Sequence, residues 1–133
     1  MKKLFASLLL GLTMITGVFA GSKLVITSKL GDDNMPVDKL ESIPFEKDRQ
    51  FLMFVYKDDN TAFGVEKVYF EISIYDEISS KYKYSAMYTV DTHTDWGYCY
   101  KGILFNVPMK LKIRVFTANE ELATKYIDVV KEE

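Results

Sequence analysis

Residues 65–75, VEKVYFEISIY, set the strongest constraint on what this chain can fold into. Val68, Phe70, Ile72 and Ile74 fall on one side of an extended backbone, with Lys67, Glu71 and Ser73 on the other. A period of two gathers one apolar face on a strand and scatters it on a helix. The segment reads as a half-buried β-strand, and such a strand needs a sheet and a second layer to cover it.

Other segments repeat the signal. In MKLKIRVFT (109–117) Met109, Leu111, Ile113 and Val115 point inward, opposite Lys110, Lys112 and Arg114. KYKYSAMYTV (81–90) places Tyr82, Tyr84, Ala86, Tyr88 and Val90 on one face, and YCYKGILF (98–105) and KLVITS (23–28) are short β-rich runs. RQFLMFVYK (49–57) is apolar on both faces, as expected of a central strand covered twice. Residues 37–48 read as an irregular connection, since Pro44 is unsuited to a central strand. The stretch NEELATKYIDVVKEE (119–133) fits a helix capped by Asn119 or the second arm of a hairpin; its β-branched content and the short gap before it favour the strand. About seven short strands separated by turn-forming clusters predict an all-β, antiparallel two-sheet sandwich.

The chain opens with Lys2 and Lys3, then a largely apolar run to Phe19, with Val18 and Ala20 at the small-residue positions of a cleavage site. Residues 1–20 are therefore expected to be a secretory signal peptide, too short and weakly flanked for a membrane anchor. That leaves residues 21–133 as a single domain, destined for the periplasm or for secretion, with no membrane insertion of the mature chain. Lys2 and Lys3 leave with the leader, so 15 of the 17 basic residues face all 19 acidic ones, a net charge near −4. A surface of that sign disfavours nucleic acid and anionic lipid alike. Cys99 is the only cysteine, so no internal disulfide forms, and it reads as a small buried hydrophobe or, failing that, a bridge to another chain.

Two passages carry a family resemblance. FLMFVYKDDNTAFGVEKVYFEISIYD resembles the second-strand, loop and third-strand passage of bacterial immunoglobulin-like domains, where an acidic loop ending in Gly-Val leads into Lys-Val-x-Phe; here these are Gly64, Val65, Lys67, Val68 and Phe70. KLKIRVFTANEELATKYIDVV is similar to their closing hairpin. Together they cover less than half of the mature chain, the cysteine pair of antibody domains is absent, and Trp96 lies too late for the core tryptophan of the third strand. The resemblance implies an immunoglobulin-like or fibronectin-III-like sandwich with a binding role, and no catalytic residue carries over.

Chemistry, if there is any, concentrates in VDTHTDWGYCY (90–100). On a continued strand Asp91, His93 and Asp95 would project from one face and present a carboxylate–imidazole–carboxylate set to a divalent ion. The intervening threonines and Gly97 instead mark a polar turn, and no second histidine exists. His93 and Cys99 make a poor nucleophile pair, because Cys99 falls within an apolar strand. The acidic loops GDDN (31–34) and KDDN (57–60) read as turns rather than calcium sites, since Asp and Asn bond their own backbone. No cofactor is implied. The aromatic cluster is the better candidate: Trp96, Tyr98, Tyr100, Tyr84 and Tyr88 form a tentative ligand-binding set, since Tyr and Trp anchor interfaces and stack on sugars. The expectation is a non-catalytic module that binds a protein partner in a bacterial envelope or secreted assembly, with carbohydrate binding through the Trp/Tyr surface as the alternative.

Overall fold

Each alternating run becomes a strand. The computed structural model describes residues 22–45, 49–59, 61–105 and 107–131. The expected leader, residues 1–20, lies outside them. Eight strands form: β1 (Ser22–Thr27), β2 (Ser42–Phe45), β3 (Gln50–Lys57), β4 (Lys67–Asp76), β5 (Lys81–Asp91), β6 (Tyr98–Leu104), β7 (Met109–Phe116) and β8 (Glu121–Lys131). They build a three-stranded sheet in the order β1-β3-β6 and a five-stranded sheet in the order β2-β8-β7-β4-β5. The described residues contain no helix. The segment open to two readings is thus a strand, and β8 pairs with β7 along its length.

The inner faces of the sheets supply the core. Phe51, Met53 and Val55 of β3 meet Val68 and Phe70 of β4 and Ile113 of β7, all nearly or wholly buried. Each large apolar side chain removed from water in this way contributes about 1.5–3 kcal/mol. β3 is central and buried on both faces, as its composition predicts. Its outward Phe54 is wholly buried because Tyr98 and Tyr100 of β6 stack against it, with ring centroids at 5.5 and 6.3 Å.

Two sequence expectations need correction. Residues 37–48 are not wholly irregular, because Ser42–Phe45 forms β2, which runs parallel to β8, so the sandwich is not purely antiparallel. Pro44 is tolerated there because an edge strand pairs along one side only. The tyrosines of β5 also do not share one face. Ile72 pairs with Ala86 but Ser73 pairs with Tyr84, which leaves Ser85 as an extra, bulged residue. Ala86, Tyr88 and Val90 keep the inward face, while Tyr84 and Tyr82 move to the outer face, where Tyr82 meets Tyr75 and Tyr126. A one-residue slip flips every side chain beyond it.

The segment between β1 and β2 is tied down by Asp38. Its carboxylate accepts hydrogen bonds from Thr27 Oγ1 (2.6 Å), Ser28 Oγ (2.7 Å) and the Ser28 backbone N–H (2.9 Å). The Leu40 N–H then donates to the Ile26 carbonyl at 2.8 Å, and Leu40 packs on the core.

Candidate functional site

The segment 90–100 is a turn sutured to a neighbouring loop. The Trp96 N–H donates to the His93 carbonyl at 3.0 Å, closing a tight turn. Three further backbone bonds join this turn to residues 63–66: Phe63 N–H to Trp96, Gly64 N–H to Thr94, and Thr92 N–H to Glu66. Thr92 is buried and its hydroxyl donates to the Val65 carbonyl at 2.7 Å. Two glycines are required here. Gly64 has φ of +73°, and a Cβ on Gly97 would lie 2.8 Å from the Thr61 carbonyl oxygen.

That suture disperses the carboxylate–imidazole set. Asp91 turns to Lys67 Nζ at 2.8 Å, and His93 packs edge-on against Trp96 with ring centroids 4.8 Å apart. Asp95 instead borders a separate depression with Tyr56 and Thr61. Among the described residues no three His, Cys, Asp or Glu side chains are grouped to hold a metal ion. The acidic loops are locked by their own backbones: Asp33 accepts from the Met35 N–H at 3.0 Å, and Asp59 from the Thr61 N–H at 3.1 Å and the Thr61 hydroxyl at 2.6 Å. Bonds from Thr61 hold the Asp59 carboxyl below the usual carboxylate range.

The aromatic set gathers on one flank of the sandwich, with one exception. Five strands face three, so the inner face of β5 at the end of the larger sheet has no strand opposite it beyond β6. Ala86, Tyr88 and Val90 are accordingly half-buried rather than buried. β5 and β6 are both edge strands, and they do not pair with each other. Between them lie two apolar depressions. The first, of about 340 Å³, is lined by Val90, Trp96, Tyr98, Cys99 and Tyr100. The second, of about 320 Å³, has Ile72, Ala86, Tyr88, Ile103 and Phe105 among its walls. Four of the five expected binding residues therefore line this flank; Tyr84, displaced by the bulge, sits on the outer face of the larger sheet and is 63% exposed.

One residue of this flank escaped the sequence reading. Lys101 lies between Cys99 and Ile103 on the inward face of β6, and its ammonium crosses to the other sheet to stand 5.4 Å from the Tyr88 ring centroid. The signal was a charge at an inward position of YCYKGILF. A lysine there marks a place where the core is open to water. Cys99 beside it is buried, and burial pushes its thiol up to about 12. A thiol so raised carries little of the reactive thiolate at neutral pH.

No protein-family model matches this chain, and no curated protein does.

The exposed apolar surface is unevenly spread. Among the large hydrophobic side chains at the surface, Trp96, Tyr98, Tyr100, Leu104 and Val107 all fall between the end of β5 and the start of β7. Scattered single hydrophobics are ordinary, whereas a contiguous group beside an unpaired strand edge marks a contact surface. The flank offers apolar burial, a free backbone edge and one cation. Its described residues present no assembled acid–base or nucleophile pair.

Proposed function

We propose that this protein is an exported, non-catalytic binding module of immunoglobulin-like fold, and that it engages a protein partner of a bacterial envelope or secreted assembly through the β5–β6 flank. The single observation that carries the reading is the five-against-three mismatch, which leaves β6 as an unpaired edge beside half-covered apolar side chains. The strand order supports the fold assignment. With β1, β3 and β6 taken as strands A, B and E, they supply three of the four strands of a constant-type ABED sheet, and β4, β7 and β8 correspond to C, F and G. The position of strand D, next to β6, is empty. A partner's strand at that position would complete the smaller sheet by β-augmentation.

The edges differ in how they are guarded. β2 carries Pro44; β5 carries Lys81, Lys83 and the bulge at Ser85. These are the devices that keep an edge from pairing. β6 has neither proline nor bulge, and its one lysine is turned inward onto Tyr88. Site-specific photocrosslinking tests the reading: a benzophenone side chain is placed at Tyr100 or Leu104 of β6, and as a control at Tyr126 on the outer face of the larger sheet. Adducts to one partner from Tyr100 and Leu104 alone are expected. Adducts only from Tyr126, or from none of the three, would sink it.

Carbohydrate binding is the second reading, favoured by Trp96, Tyr98 and Tyr100 lining one depression. It requires a glycan to shift the fluorescence of the single tryptophan and Trp96→Ala to abolish the affinity. An unchanged spectrum across a panel of envelope glycans removes it.

A further inference from the structure

Resting on the binding-module reading, we propose that the segment received beside β6 is an extended stretch of a partner protein with an acidic residue between two apolar ones at alternate positions: apolar–x–acidic–x–apolar. The inward positions of β6 dictate the pattern. Cys99, Lys101 and Ile103 follow one another at intervals of two residues, or about 7 Å. Cys99 belongs to one apolar depression and Ile103 to the other. Lys101 lies between them and divides the flank, its ammonium resting on the Tyr88 ring. Among the described residues it forms no ion pair.

A strand added to β6 brings its own inward side chains opposite these three, with directly opposed Cβ atoms about 4.5–5.5 Å apart. Its first and third inward residues enter the depressions and lose apolar surface to water. The middle one meets Lys101. A carboxylate there pairs with an ammonium that the incoming strand has just stripped of water, whereas a lysine there repels it and an apolar residue leaves Lys101 buried without a counter-ion. The pattern reads the same in both directions, so it holds for parallel and antiparallel addition.

A second copy of this chain does not fit. None of its four sheet edges, β1, β2, β5 and β6, has an acidic residue flanked at alternate positions by two apolar ones. Antiparallel pairing of β6 with itself around its centre would bring two copies of Lys101 together.

The test titrates isotope-labelled folded protein with three capped heptapeptides, TVTETVT, TVTKTVT and TVTTTVT, and follows backbone amide shifts. Shifts confined to residues 98–104 and their neighbours are expected, with TVTETVT preferred over TVTKTVT by about tenfold, a modest value for one partly screened pair. Lys101→Glu should reverse that order, and Lys101→Met should erase the preference while leaving the apolar contribution. Equal binding of all three peptides at β6, or an order that Lys101→Glu does not reverse, would overturn the acidic centre and leave docking at β6 standing. Absence of any shift on β6 with all three would overturn docking itself.

Discussion

On the flank where β1 lies near β8, the chain closes its own gap. The segment after β1 is pinned by Asp38 to Thr27 and Ser28, Leu40 bonds back to Ile26 and plugs the core, and β2 adds a fifth strand with a proline in it. On the flank of β5 and β6 nothing comparable is supplied among the described residues: the turn from Thr92 to Gly97 is too short to carry another strand, and Lys101 reaches across to Tyr88. The same sandwich is finished on one side and left unfinished on the other. The contrast teaches where to look for a partner, because β6 lacks the proline, lysines and bulge by which β2 and β5 are kept from pairing, and an unguarded edge is open to an added strand.

The contrast breaks or sharpens under measurement. The largest effect belongs to the core between the flanks: Phe70→Ala should cost about 3–5 kcal/mol in denaturant unfolding, while Tyr88→Ala on the open flank should cost only about 1 kcal/mol. Equal losses would mean that the open flank is packed like the core. Cys99 gives the next largest effect. With its thiol at about 12, native protein at pH 8 should react with a thiol reagent about a thousandfold more slowly than unfolded protein. Comparable rates would show the depression beside Cys99 to be deep enough to admit reagent and water.

Asp38 probes the closed flank. Partial burial pushes its carboxyl up, but the bonds from Thr27 and Ser28 and the charge of Arg49 outweigh this and hold it below the usual range. A folded-state value below the unfolded one means that the stabilisation is fully present above about pH 4 and is lost as the pH falls through the lower, folded value. Asp38→Asn should cost about 1–3 kcal/mol at neutral pH and flatten the acid limb of the stability curve. A variant with wild-type pH dependence would remove Asp38 as the clasp of that flank. The smallest effect is expected at Lys67 and Asp91, an exposed ion pair at the rim. Lys67→Ala should leave the unfolding midpoint unchanged within error.

Much of the fold was legible because alternation reports burial directly. Lys67 to Ile74 and Met109 to Val115 needed no context to be read as strands, and the two-sided apolar run of 49–57 announced a central one. β2 was hidden by Pro44, since proline rules out a central strand but says nothing about an edge that tolerates it. The bulge at Ser85 was hidden more thoroughly. Tyr82, Tyr84, Ala86 and Tyr88 alternate without a break, and the slip that separates them is set by pairing with β4, which a strand's own sequence does not contain. The aromatic residues of the flank could be found as a cluster along the chain. Lys101 was not singled out in the sequence, because a short β-rich run does not show which alternate set faces inward; Cys99 and Ile103 on either side of it share its face.

The parallel pairing of β2 with β8 bears on how the molecule comes into being. Ser42 lies beside Asp128 and Phe45 beside Lys131, contacts that span most of the chain. Residues 42–45 are synthesised early and have no sheet partner until residues 128–131 have left the ribosome. Loops of that length close slowly, and folding rates fall as contacts grow more distant in sequence. The larger sheet therefore cannot be completed before residues 128–131 are available to pair. Any nascent chain shorter than about residue 120 lacks both the eighth strand and the means to hold the second.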